Sequence, residues 1–220
     1  MHWIVKYSPI FFDFDGLLAD TEPLHHKAYQ ILLNNHGFSL SWDLSYYTSL
    51  AHKSAVALRD AISEQFSQLL REHSWEELYE EKQKIYTTLV KKGGVKLMAG
   101  AAEVLKVVSA ANIPHAVVTN SILQHVSIVR KQLPQLQKIK HWITREAYCN
   151  PKPAPDCYFK AMEVVGKSDN MLGFEDSLRG VQALSRASIT PVLISSLLPS
   201  QLDLDGVCDL SVYPSFTAIF

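Results

Sequence analysis

The sequence predicts an α/β protein: a parallel sheet covered by helices on both faces, with a helical segment inserted after the first strand. Three observations carry this. After Gly100, short apolar runs alternate with helical patterns, the rhythm of a wound parallel sheet. Between residues 21 and 96 no run reads as a strand, and helical spacing dominates. One apolar run, Pro9-Ile10-Phe11-Phe12 leading to Phe14, stands before that segment and ends at Gly16. The simplest architecture is a core of residues 1–20 and 97–220 with a helical insert at 21–96. Such an insert is expected above the C-terminal end of the first strand, where open α/β sheets bind ligands.

The elements follow in order. Thr21 and Pro23 announce a helix, a capping hydroxyl followed by a proline in the first turn. Leu24, Ala28, Ile31 and Leu32 keep helical spacing to Asn35, and Gly37 stops it. Residues 55–70 and 75–90 read as amphipathic helices, and Gly93-Gly94 breaks the pattern. Then come a helix at 101–110, a strand at 115–119, a helix at 123–132 and a short apolar segment at Trp142-Ile143. Residues 155–165 are helical, 170–174 a strand and 177–187 a helix. Residues 190–194 and 209–213 are the final strands.

Composition narrows the class. Lys and Arg number 21 against 22 Asp and Glu, for a net charge of −1, so no global basic field draws nucleic acid or anionic lipid. Hydrophobic residues are 47%, enough to fill a core in a chain of 220 residues. The longest uncharged stretch, 107–129, is interrupted by Asn112, Pro114, His115, Asn120, Gln124 and His125, so no membrane span is expected. No secretory signal is read near the N-terminus. Cys149, Cys157 and Cys208 are odd in number and lack CxxC spacing, which favours a reducing cytoplasm over a disulfide framework or thiolate zinc site. The four tryptophans, nine tyrosines and nine phenylalanines show no interleaved basic residues and read as packing, not base-stacking. A monomer is expected.

Four segments carry chemistry, and each has a bland alternative. Asp13-Phe14-Asp15-Gly16 ends the first strand. Two carboxylates there suit a nucleophile and a proton carrier, although aspartates near glycine are also ordinary turn formers. Val117-Val118-Thr119-Asn120-Ser121 ends a strand in a hydroxyl with backbone N–H groups behind it. That suits a phosphoryl oxygen or a plain capping turn. In Pro151-Lys152-Pro153-Ala154-Pro155, three prolines stiffen the loop that carries one lysine. Its ammonium could stabilise phosphoryl charge, or be a surface turn lysine. Gly173-Phe174-Glu175-Asp176-Ser177 again runs a strand into acids before a helix. These acids could join Asp13 around a hard cation such as Mg2+, or decorate a helix N-terminus.

Taken together, in this order and each at a strand end or core loop, the four segments resemble the haloacid dehalogenase (HAD) superfamily of phosphoryl-transfer enzymes. The resemblance covers essentially the whole chain. The stretch from Asp13 to His25 and Lys152-Pro153-Ala154-Pro155-Asp156 are most similar to the β-phosphoglucomutase-like branch, which includes many small-metabolite phosphatases. The resemblance implies a Rossmann-like three-layer core, with residues 21–96 as a C1-type helical cap whose hinges are 17–20 and Gly93-Gly94.

By that resemblance, Asp13 is the nucleophile that forms an aspartyl-phosphate. Asp15 protonates the leaving oxygen and then activates water or an acceptor hydroxyl. Asp176 completes a Mg2+ site with Asp13 and the Asp15 main-chain carbonyl, and Glu175 is a ligand or stands behind one. Thr119 and the Asn120 backbone hold phosphoryl oxygens, and Lys152 stabilises their charge. His25 lies near the hinge, although adjacent His26 means that only one of the two can face the site. Lys82, in Glu80-Glu81-Lys82-Gln83-Lys84, aligns with a substrate-reaching cap lysine but also reads as part of a solvated charged face.

In the cap specificity loop the mutases carry glycine and arginine. Here the stretch is Ser49-Leu50-Ala51-His52-Lys53, and Lys53 keeps charge without the planar fork of arginine. Leu123 stands where the mutases have asparagine. The expected function is a Mg2+-dependent phosphatase of a small phosphorylated metabolite, a sugar or nucleotide phosphate. A sugar phosphomutase and a catalytically idle binding member are the alternatives.

Overall fold

The computed structural model describes residues 3–196, 207 and 209–220, so Cys208 lies outside the described residues. The chain divides into two compact units. One comprises Met1–Asp20 and Val95–Phe220, the other Thr21–Gly94.

The first unit is a six-stranded sheet in the order β3-β2-β1-β4-β5-β6. The strands are β1 (Ile10–Phe12), β2 (His115–Val118), β3 (His141–Ile143), β4 (Leu172–Glu175), β5 (Thr190–Ile194) and β6 (Ser211–Tyr213). Every neighbouring pair is parallel. The α/β prediction therefore holds, and the apolar segment at Trp142-Ile143 is a strand. Phe11 pairs with Ala116 on one side and Gly173 on the other, which makes β1 a central strand.

Successive side chains of β1 point to opposite faces. Phe11 enters a core with Cys157, Tyr158 and Ala161 from α9 (Asp156–Val165) and Ala183 and Leu184 from α10 (Leu178–Arg186). Phe12 stacks on Phe174 at 5.3 Å, and both approach Phe216. Gly173 is required where α10 crosses β4, because a Cβ there would lie 2.1 Å from Leu184 Cδ2. Strand order reverses between β1 and β4, the switch point beyond which ligands bind at carboxyl ends. Both Asp13-Phe14-Asp15 and Glu175-Asp176 stand there.

The second unit is helical: α1 (Glu22–Asn35), α2 (Leu44–Lys53), α3 (Ala55–Gln65), α4 (Leu69–Glu72) and α5 (Trp75–Lys91). Its core gathers Tyr29, Leu32, Leu33, Leu40, Tyr47, Leu58, Ile62, Phe66, Leu69 and Leu78. Ser74 and Glu77 close a capping box at the start of α5.

Three expectations need correction here. Residues 55–70 are not one helix: at Phe66 the backbone leaves helical geometry (φ −117°, ψ 44°) and the ring enters the core against Phe38. Ile62, Phe66 and Leu69 keep helical spacing in sequence, which is why the break is silent there. Thr21 sits at the N-cap of α1, but its side chain makes no capping bond. Ser49 to Lys53 is not a loop but the end of α2, whose N-terminus Asp43 caps through Tyr46 N at 2.8 Å.

The first unit is completed by α6 (Ala101–Ala110), α7 (Leu123–Gln132) and α8 (Pro134–Gln137). No helix among the described residues is long and apolar enough to cross a membrane.

Candidate active site

β1 carries the chain into Asp13, whose N–H bonds to Phe174 O of β4 at 2.9 Å. Gly16, at φ 76°, then turns the backbone so that its N–H meets Ala19 O and Leu18 N–H returns to Phe14 O. This fixes Asp13 and Asp15 at the carboxyl end of the central strand.

Lys152 is buried, and its ammonium is the hub. It donates to Asp13 Oδ1 at 2.5 Å, Glu175 Oε1 at 2.5 Å and Val118 O at 2.8 Å. The surface-turn alternative for Lys152 fails on burial. A lysine is buried in this way only when paired. Burial alone would lower its pKa, but Asp13 and Glu175 outweigh that and raise it. The carboxyls respond in kind. Asp13 is raised, first by burial and then by Asp15, against the pull of Lys152. Glu175 is raised to about 7, by burial and by Asp13, again against Lys152.

Asp15 is held from β2. Ser121 Oγ donates to Asp15 Oδ2 at 2.6 Å and Thr119 Oγ1 donates at 3.2 Å. Thr119 Oγ1 in turn accepts from Ser121 N at 2.9 Å. The Thr119 hydroxyl thus faces Asp15. The Asn120 side chain is a strut: its Oδ1 accepts from Tyr148 Oη at 2.8 Å and from Lys152 N at 3.2 Å. Its main-chain N–H donates to no backbone oxygen among the described residues.

Asp13, Glu175 and Asp176 are all buried, and one oxygen from each lies within 4.8 Å of the others. Glu175 Oε2 is buried without a hydrogen-bond partner among the described residues. Hard oxygen donors, an orphaned carboxylate oxygen and clustered negative charge fit a divalent cation such as Mg2+. The Glu175 carboxylate lies over Gly180, where a Cβ would be 1.9 Å from Oε2.

In the helical unit, His25 and Lys82 meet: Lys82 Nζ is 2.8 Å from His25 Nδ1, and the His25 ring stacks on Tyr86 at 3.8 Å. Lys82 is buried, with Tyr29, Tyr79 and Tyr86 around its ammonium at 5.1 to 5.9 Å, so it is not on a solvated face. His26 instead bonds Trp42 O at 3.0 Å beside Tyr47. Lys53 is exposed at the end of α2.

Sequence reasoning missed Ser121 as the nearest donor to Asp15. It also missed Tyr148, Tyr158, whose hydroxyl donates to Glu175 Oε1 at 2.5 Å, and Gly180. Tyr158 follows Lys152 by six positions, and no local pattern marks it. The signal for Lys82 was present: Leu78, Lys82, Tyr86 and Val90 recur every four residues on the buried face of α5.

A doubly wound parallel sheet with acids at the carboxyl ends of two neighbouring central strands, Asp13 and Glu175 both tied to a buried lysine, is the arrangement of an α/β enzyme. The chain belongs to the haloacid dehalogenase-like hydrolase family, whose model matches residues 10–194. A Drosophila melanogaster protein, "Probable pseudouridine-5'-phosphatase", is 28% identical over 201 residues, covering 86% of this chain and 82% of that one. The crystal structure of a family IA, variant 3 HAD hydrolase from Entamoeba histolytica is 27% identical, with TM-score 0.78 over 97% of this chain and 95% of that one. β-Phosphoglucomutase from Clostridium difficile shares the fold at 21% identity, with TM-score 0.72 over 97% and 93%.

Proposed function

We propose that this chain is a Mg2+-dependent phosphatase of a small phosphorylated metabolite, a sugar or nucleotide phosphate, working through an aspartyl-phosphate on Asp13. The observation that carries the reading is the buried Lys152 ammonium, shared between Asp13 and Glu175 at 2.5 Å each, beside an Asp15 held by two hydroxyls. The phosphatase activity named for the Drosophila relative supports it.

Lys152 fixes Asp13 Oδ1, leaving Oδ2 to attack phosphorus while the ester P–O bond breaks. Asp15 gives a proton to the leaving oxygen. It then takes a proton from the water that attacks the aspartyl-phosphate, which releases phosphate and restores Asp13. The Thr119 and Ser121 hydroxyls aim Asp15, and the Asn120 N–H donates to a phosphoryl oxygen. Asp13, Asp176 and Glu175, with the Asp15 main-chain carbonyl, would hold Mg2+. When bound, the cation neutralises phosphoryl charge and orients the group.

His25, Lys53 and Lys82 are proposed to act on the substrate, with Thr21–Gly94 as the cap. The free thiols Cys149 and Cys157 support a reducing, cytoplasmic setting, and a monomer suffices for this chemistry.

The test is phosphate release from a panel of phosphorylated sugars, nucleotides and aryl phosphates, with and without Mg2+, beside Asp13→Asn protein. Metal-dependent release that the variant lacks is expected. No release from any member overturns the reading.

A further inference from the structure

Lys152 has three N–H donors, and all are engaged: by Asp13 Oδ1, Glu175 Oε1 and Val118 O. A phosphoryl oxygen arriving beside Asp13 can gain an N–H from Lys152 only where one of these bonds is released. Val118 O is main chain at the end of β2, paired into the sheet, and Asp13 is the group the ammonium orients. Glu175 remains, and its Oε1 already has a second donor in the Tyr158 hydroxyl.

Tyr158 is fully buried in α9, its ring edge-on to Phe11 at 6.0 Å and below Lys152 Nζ at 5.2 Å. Phenylalanine would fill that space equally well. A buried hydroxyl carries a desolvation penalty unless it makes a bond that matters. Its hydroxyl donates to the carboxylate from which Lys152 must be drawn.

We propose that Tyr158 is a positioning residue: its O–H holds Glu175 Oε1 while Lys152 turns one N–H from Glu175 to the phosphoryl group of the substrate. This rests on the phosphatase reading. Without the hydroxyl, Glu175 keeps Lys152 as its donor, and the phosphoryl group is bound less tightly.

The experiment is a calorimetric titration with inorganic phosphate of the full chain, wild type, Tyr158→Phe, Glu175→Gln and the double variant, at two Mg2+ concentrations. Tyr158→Phe is expected to weaken phosphate binding roughly tenfold, the scale of one hydrogen bond to a charged group. In the Glu175→Gln background, where a neutral amide holds Lys152 loosely, the same change is expected to alter affinity less than about twofold. Such non-additivity marks a direct coupling. Equal losses in both backgrounds, or a lowered Tm with unchanged phosphate affinity, indicate packing alone and overturn the proposal. A loss that disappears at the higher Mg2+ concentration assigns the hydroxyl to the cation site and also overturns it. Wild-type protein that releases phosphate from substrates while Tyr158→Phe behaves identically overturns only the role of Tyr158. Wild-type protein that neither binds phosphate nor releases it takes the phosphatase reading down as well.

Discussion

The two units each bury a lysine, and the two lysines differ in what surrounds them. Lys152 in the sheet unit is held by two carboxylates and a main-chain carbonyl. Lys82 in the helical unit meets an imidazole nitrogen and the faces of three tyrosines. The first arrangement fixes a charge among charges, so that removing either sign leaves the other stranded. The second sets a cation beside ring faces and an imidazole nitrogen, and each such contact is a smaller interaction. Burial alone therefore does not say what a lysine does. Its partners do.

The largest effect is expected at Lys152. Lys152→Met leaves Asp13 and Glu175 buried without their cation, a change worth about 3–5 kcal/mol of stability, together with loss of turnover. Thermal and denaturant unfolding beside the phosphate-release assay would check both.

The acids around Lys152 give the next effect. Glu175 has a folded pKa of about 7 against an ordinary value of 4.5, and Asp13 is raised as well. A raised acid binds protons more tightly when folded, so folding is undiminished below the unfolded value and is penalised as pH climbs through the folded one. Metal-free protein is therefore expected to lose Tm between about pH 4.5 and 7, more steeply than Glu175→Gln. Mg2+ is expected to flatten the slope at the upper end.

Gly180→Ala drives a methyl into the Glu175 carboxylate. About 1–3 kcal/mol of destabilisation is expected, with weakened Mg2+ binding by calorimetry.

Lys82→Met is expected to lose the cation–π contacts near 5 Å, worth about 1 kcal/mol, as read by denaturant unfolding. A loss equal to that of Lys152→Met would erase the distinction between the two lysines.

Ser74→Ala, which removes the capping box at the start of α5, is expected to cost about 0.5–1 kcal/mol. Turnover should be unchanged.

The difference also explains what could be read in advance. Lys152 was legible because Pro151, Pro153 and Pro155 surround it and because its place follows two strand-end acid and hydroxyl segments in order. Lys82 was ambiguous because the run from Glu80 to Lys84 looks solvated, although helical phase puts it in line with Leu78 and Tyr86. Five of the six strands and their parallel direction were legible from alternation, since a two-sided core demands continuous apolar runs. The break at Phe66 was not, because a turn that keeps the apolar spacing leaves no composition signal. Nor was the grip of Tyr158 and Gly180 on Glu175, which depends on how α9 and α10 meet β4 in space.

The most direct test of the aspartyl-phosphate chemistry uses Asp15→Asn protein and an aryl phosphate, whose leaving group needs no general acid. Formation of the intermediate is then retained while its hydrolysis is slowed. Acid quench and peptide mass mapping are expected to find one phosphoryl group on the peptide containing Asp13, and none in the Asp13→Asn, Asp15→Asn double variant. Phosphate release with no adduct on that peptide, or an adduct that persists when Asp13 is replaced, would contradict a nucleophilic Asp13.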